Sequence, residues 1–262
     1  MSGAFVGGVG LIAPGLPSWP EARAILTGAA RYTNTSLAPV QSQLLPPNER
    51  RRAPLGVRLA LRAAEEATMA ASLRPAELAS VFATSDADIE IIHRIAMALA
   101  EPARSVSPTD FHNSVHNAAC GYWSIGTGAR GPATAVSAYD FSLAAGLREA
   151  LALLAIDDTD VLLVLYDVPP PAPLYAKRPV AHPAAIALAL ARARTERSLA
   201  RISLCEASTE LTLDDPGLEA LRLTNPATRA LPLLQRLATR SPGIVGIRAY
   251  GDRCLGICVE AP

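Results

Sequence analysis

Charge is what this chain has least of. Only 18% of its 262 residues are Asp, Glu, Lys or Arg, and the 24 acids and 24 bases cancel; ordinary soluble domains carry about a quarter. Balanced, sparse charge excludes the clustered excess of Lys and Arg that a nucleic-acid footprint requires. The short run Arg50, Arg51, Arg52 reads as a surface patch at a helix start. Cysteine is also scarce. Four cysteines in a chain this long make no disulfide framework. Cys120 and Cys205 are isolated, and Cys254 and Cys258 have no second pair beside them. All four are expected to be small buried hydrophobes in a reducing compartment, with no metal and no cofactor. No apolar run reaches the roughly 20 residues of a membrane span, because the longest candidate, Leu151 to Val168, is broken by Asp157, Asp158 and Asp160. The N-terminus is apolar but has no basic leader and breaks at Pro14. A signal peptide is therefore not expected, and the location expected is the cytoplasm.

Hydrophobic residues, by contrast, make up half the chain. That suffices for a substantial core, and it suggests that part of the surface is hidden in a partner. Residues 4–12 (AFVGGVGLI) read as a buried strand, followed by a loop through Pro14, Pro17 and Pro20 and an irregular excursion over 30–48. Helical periodicity covers Pro54 to Ser72 and Asp86 to Ala98, the latter with Ile89, Ile92, Ile95 and Ala96 on one face. Between them lies a short strand, Ser80 to Thr84. Ser107 is placed to cap a short helix with Pro108 at its first position. A second short helix runs from Asn117 to Ile125, stopped by Gly126 and Gly128. The strand 133–138 leads into an apolar helix, Phe141 to Leu154, and then into the continuous apolar strand Val161 to Val168. After a Pro-rich stretch, 184–191 suits a strand or a tight helix, 201–207 a strand, 208–225 a loop and 227–239 a helix. Residues 246–250 and 254–260 form a hairpin through Gly251-Asp252. Alternating strands and helices make the class α/β with a layered sheet.

Three motifs invite chemistry. Gly8-Val9-Gly10-Leu11-Ile12-Ala13 matches a dinucleotide fingerprint, but that motif needs a helix at once to face the pyrophosphate. Pro14, Gly15 and Pro17 intervene. His112 and His116 are spaced i, i+4, yet two imidazoles without a third ligand make an incomplete metal site. The third is the turn at Tyr139-Asp140 between strand 133–138 and its helix. A residue on such an elbow faces a helix N-terminus, where nucleophiles are often presented. The same pattern suits an ordinary βα connection capped by Asp140, and geometry alone favours that plainer reading.

The order FHNSVHNAACGYWSI, then RGPATAVSAYDFS, then an apolar helix, then VLLVLYDV resembles the N-terminal half of the β-ketoacyl synthases of the thiolase fold. That family has a segment of the type S-P-x-x-F-x-N-S-V-x-N and then a G-P strand ending in T-A-C, whose cysteine accepts the acyl group. The stretches AFVGGVGLIAPGLPSW and LRPAELASVFATS are similar to its neighbouring elements. The resemblance implies a layered thiolase-like α/β fold with its N-terminal half well represented over 1–168. Residues 169–262 would be a shortened C-terminal region completing the same domain.

The departures from the family carry the functional expectation. With Ser137-Ala138-Tyr139 set on T-A-C, the nucleophile position holds Tyr139. A free phenol is about one part in a thousand ionised at neutral pH, whereas a cysteine is a few per cent thiolate and intrinsically more nucleophilic. The family's two C-terminal histidines are reduced to His182. In AYGDRCLGICVE, Asp252 and Arg253 replace small residues beside Gly251, and a carboxylate there would oppose an oxyanion. The resemblance therefore implies a catalytically inactive chain-length factor, of the short form found in aryl polyene pathways. Such a subunit forms a heterodimer with an active β-ketoacyl synthase and shapes its acyl tunnel during chain elongation on an acyl carrier protein, which it reaches through the complex. By resemblance, Ala133, Thr134, Ala135, Val136, Ser137 and Ala138 form the strand that pairs with the partner. Phe111, Tyr122, Trp123, Tyr139 and Phe141 line the acyl tunnel or the interface. Two alternatives stay open: a free-standing acyltransferase or thioesterase-like enzyme using Cys120 or Ser142, and a homodimeric scaffold.

Overall fold

A computed structural model describes residues 3–40 and 42–262. In chain order the elements are β1 (Ala4–Ile12), α1 (Trp19–Leu26), α2 (Pro47–Arg52), α3 (Leu55–Ala71), β2 (Ala79–Ala83), α4 (Ile89–Ala100), α5 (Pro108–Asn113), α6 (Ala118–Thr127), β3 (Ala133–Val136), α7 (Ser142–Ile156), β4 (Val161–Asp167), α8 (Ala172–Tyr175), β5 (Ala184–Ala191), β6 (Ala200–Ala207), α9 (Pro216–Leu223), α10 (Leu231–Thr239), β7 (Gly243–Tyr250) and β8 (Arg253–Glu260).

The strands join in one sheet of order β3-β2-β4-β5-β1-β6-β8-β7. β2 runs parallel to both β3 and β4, and β5 is antiparallel to both β4 and β1. The order is symmetric about the β1–β6 contact, where Ala4, Phe5 and Val6 pair antiparallel with Ile202, Arg201 and Ala200. On one side stands β4-β5-β1, on the other β6-β8-β7, and in each triplet the central strand is antiparallel to both neighbours. The first side carries β2 and β3 beyond its triplet, and the second stops at β7.

Period-two alternation sorts the central strands into two cores. On β4, Val161, Leu163 and Leu165 pack with α1, α7, α9 and α10, while Leu162, Val164 and Tyr166 pack with α3 and α6. The glycines of β1 explain the fingerprint-like motif. A Cβ at Gly8 or Gly10 would overlap the backbone carbonyls of Ala67 and Ala63, so these positions let α3 lie directly on the strand. Ser107 caps α5 as expected, its hydroxyl accepting from Asp110 N at 3.3 Å.

Several expectations need correction. The Pro-punctuated stretch after β1 contains α1, opened by Pro20 near its first turn, and the expected loop over 208–225 contains α9, capped by Asp215 Oδ1. Proline marks a helix start as readily as a break. α6 continues through Gly126 and ends at Gly128, which sits at φ +72°. β3 stops at Val136, two residues short of the expected strand. Residues 184–191 are a strand, not a helix. On α4 only Ile91 is buried, and Ile92, Met97 and Leu99 are exposed. Of the expected face, Ile92 is exposed and Ile89 and Ile95 are only partly buried.

Candidate functional site

The elbow between β3 and α7 is built from the ends of three strands. Ser137 Oγ donates to Ser85 O at 2.7 Å, and Ala138 N donates to Ser142 Oγ at 3.1 Å. Ser142 Oγ in turn lies 2.7 Å from Tyr139 O and 3.1 Å from Thr84 O. Beneath them, buried Asp167 at the end of β4 accepts from Ser85 N (2.7 Å), Ser85 Oγ (2.6 Å) and Thr84 Oγ1 (3.1 Å), all at Oδ1. Burial pushes its carboxyl up to about 7, against the pull of these hydrogen bonds.

On this platform Tyr139 adopts φ +55°, a region that costs a non-glycine residue about 1–2 kcal/mol. The side chain held on this strained turn is a phenol. Arg178 closes over it. Its guanidinium carbon stands 3.8 Å from the centre of the Tyr139 ring, its Nε donates to Asp86 Oδ2 at 2.7 Å, and its Nη1 donates to Asp140 Oδ1 at 2.6 Å. Burial works against the guanidinium charge, but the two carboxylates outweigh it and hold the group above its ordinary value. Asp140 therefore does not cap α7, as the plainer reading of the turn expected: its carboxylate is engaged by Arg178, and α7 begins without a side-chain cap.

The hairpin of β7 and β8 reaches the same place. Tyr250 packs on Phe141 with ring centres 6.4 Å apart, just before the Gly251-Asp252 turn. His182 is linked to the elbow through Asn225. Asn225 Nδ2 donates to His182 O (2.6 Å) and lies 3.3 Å from Asp167 O, which ties the histidine's backbone to the floor of the elbow. The imidazole is half-buried with Nε2 unpartnered among the described residues, and burial pushes its pKa down to about 4.

The remaining expected residues divide. Phe111 is 70% exposed and Tyr139 51%. Tyr122 is buried, donates to Asn113 Oδ1 at 3.0 Å and stands edge-on to His112. Trp123 is fully buried against Phe82, with ring centres 6.5 Å apart. Cys120 is buried, and burial raises its thiol pKa. Reading the sequence missed Asp86, Asp167, Arg178 and Asn225. Arg178 sits in a Pro-rich stretch with no periodicity to place it.

Fold and elbow together define a class: a layered α/β chain of the thiolase-like kind with Tyr139 on a strained turn between strand and helix. The sequence pattern of the β-ketoacyl synthase N-terminal domain matches residues 26–242, so the chain belongs to the β-ketoacyl synthase family. No curated protein matches it. Among solved structures it is similar to a ketosynthase (ApeO) in complex with its chain length factor (ApeC) from Xenorhabdus doucetiae. That match has 25% identity and a TM-score of 0.74, and covers 98% of this chain and 99% of that one. The ishigamide ketosynthase/chain length factor shares the fold at 14% identity, with a TM-score of 0.75 and 99% of each chain covered. A type II acyl-carrier protein complex with its ketosynthase (AntDE:AntF) does so at 12% identity, with a TM-score of 0.73, 100% of this chain and 99% of that one covered.

Proposed function

We propose that this chain is the non-catalytic, chain-length-factor subunit of a heterodimeric ketosynthase. The observation that carries the reading is the kept elbow with a capped phenol: Tyr139 holds the strained backbone while Arg178 covers its ring. The reading is supported by a surface that lacks a covering. Ser80 N donates to Pro132 O and Thr84 N to Val136 O, so alternation leaves the N–H groups of Ala133 and Ala135 facing outward from the sheet edge. Exposed apolar side chains on α4 (Ile92, Met97, Leu99), α5 (Phe111) and α6 (Ile125) accompany that edge. Its occupant is an active β-ketoacyl synthase, paired along Ala133–Val136, and the acyl carrier protein reaches this subunit through the complex.

Phe111, Tyr122, Trp123, Tyr139 and Phe141 set the floor or wall of the partner's tunnel during elongation of a polyene or fatty-acid-like chain. Residues 1–168 supply this machinery, and 169–262 complete the same domain. The work is done in the cytoplasm. The rival reading, an acyltransferase or thioesterase using Cys120 or Ser142, finds less support. Cys120 is buried, and among the described residues the Ser142 hydroxyl is hydrogen-bonded only to the backbone of the elbow.

Co-expression with an active ketosynthase is expected to give a 1:1 complex by native mass spectrometry. Within it, Phe111→Ala and Tyr122→Ala are expected to lengthen the product. Unchanged complex formation together with unchanged product length would sink the site assignment.

A further inference from the structure

Of the four cysteines expected to be buried, only Cys120 is. Cys205 of β6 and Cys254 and Cys258 of β8 are partly exposed free thiols. Strand alternation explains the difference. On β8, Leu255, Ile257 and Val259 enter the core, so Cys254 and Cys258 lie on the opposite face. The antiparallel register sets Ser203 opposite Cys258 and Cys205 opposite Gly256. Cys205 therefore shares that outer face with both cysteines of β8 and lies diagonal to each.

Two observations single out Cys205 and Cys258. First, Gly256 leaves the space beside them open. A Cβ there would stand 2.7 Å from Cys205 Sγ, so the Cys205 thiol leans across to β8 and occupies the volume that a side chain would fill. Second, Cys258 is its thiol neighbour. Burial raises the Cys205 pKa, and Cys258 raises it further through its charge and a hydrogen bond. The pair is also open to small molecules. Ile244, opposite Cys258 on β7, is 52% exposed. β2, β4, β5 and β1 stand between β3 and β6, so a partner paired along β3 leaves this part of the sheet free.

We propose that Cys205 and Cys258 form a modification site, a dithiol that exchanges with a low-molecular-weight disulfide to make a bond across β6 and β8. One protein thiol loses its proton, and its thiolate attacks the disulfide R–S–S–R. A protein–S–S–R bond forms, and RS⁻ leaves and takes up a proton. The second protein thiol then loses its proton and attacks the protein sulfur of the mixed disulfide, releasing a second RSH. The protein loses two hydrogens and two electrons, and R–S–S–R is reduced to two RSH. Diagonal neighbours stand wider apart than direct partners, so closing the bond draws the two strands together. A bond made this way is reducible and regulatory, the kind that a reducing compartment permits. It ties the β7–β8 hairpin, which carries Tyr250, to β6. The inference rests on the thiols alone and stands or falls separately from the heterodimer.

The probe is oxidised glutathione, applied in excess to the native full chain, alone or in complex with its ketosynthase. The reaction is quenched with acid, remaining thiols are alkylated, and the chain is weighed intact and mapped by peptide. The expected product has lost two hydrogens and holds Cys205 and Cys258 in one cross-linked peptide, which dithiothreitol reverses. Cys254→Ser is expected to cross-link as the parent does. Cys205→Ser is expected to stop at a glutathione adduct on Cys258, and Cys258→Ser at one on Cys205. Stable glutathione adducts on both cysteines of the parent would overturn the assignment. So would a cross-link through Cys254, or both thiols left free in the folded chain.

Discussion

Tyr139 and Arg178 are best understood as one unit. Tyr139 stays half exposed with Arg178 on one face of its ring, and an arginine alone between Asp86 and Asp140 would be an ordinary ion pair. Together the guanidinium is clamped by two carboxylates and lies flat on the ring, an arrangement that Lys cannot reproduce because it lacks the planar fork. Arg178→Met is expected to destabilise the chain by about 1–3 kcal/mol in urea unfolding, because it leaves Asp86 and Asp140 without their cation. Arg178→Lys is expected to recover only part of that loss. A second prediction concerns pH. Asp167 titrates at about 7 in the folded chain, above its ordinary 3.8. Its contribution to stability is therefore complete below pH about 4 and is lost as pH rises through about 7. His182 is shifted the other way, to about 4 from 6.5. Its contribution is present above pH about 6.5 and is lost as pH falls toward 4. Asp167→Asn is expected to leave stability rising with pH across this window, and His182→Gln to leave it falling. Urea midpoints at pH 5 and pH 8 would show the opposite slopes, and parallel profiles for the two variants would contradict the assignment.

Strand and helix positions were legible wherever one face alone decides burial. β1, β4 and the β7–β8 hairpin follow from apolar runs and the Gly-Asp turn, and α3 and α7 from period 3.6. What escaped was whatever depends on a distant partner. α1 and α9 begin at prolines that also suit loops, and the symmetric strand order about β1 and β6 leaves no periodic trace in the residues. The elbow itself was visible as a strand running into a helix, but its lock was not. Arg178 lies 38 residues beyond Asp140, and only the fold brings them together. α4 was legible as amphipathic, yet Ile92, Met97 and Leu99 meet solvent in the single chain. On the proposed reading, that mismatch between pattern and burial marks α4 as part of the interface. At this scale the edge strand is the test. Ala135→Pro removes a donor that faces outward and spares the β2 ladder. It is expected to cut heterodimer formation severely in native mass spectrometry while the circular dichroism of the single chain stays unchanged.

For the molecule as a whole, one half of a symmetric sheet is fully dressed and the other is reduced to three strands. The dressed half keeps the elbow and the open edge, and the reduced half supplies the hairpin that packs against Phe141. On the proposed reading, such a chain offers an interface and leaves the chemistry to its partner. Expressed alone, it is expected to self-associate through the β3 edge and α4, and Ile92→Glu with Leu99→Glu is expected to reduce that association in sedimentation experiments. The central claim, that this subunit pairs with a ketosynthase and does not itself carry the acyl group, has one direct measurement. The co-purified complex is incubated with an acyl thioester, and each subunit is weighed intact by mass spectrometry. The account predicts a 1:1 complex with the acyl mass on the ketosynthase and none on this chain. An acyl adduct on this chain, at Cys120, Ser142 or Tyr139, would contradict it.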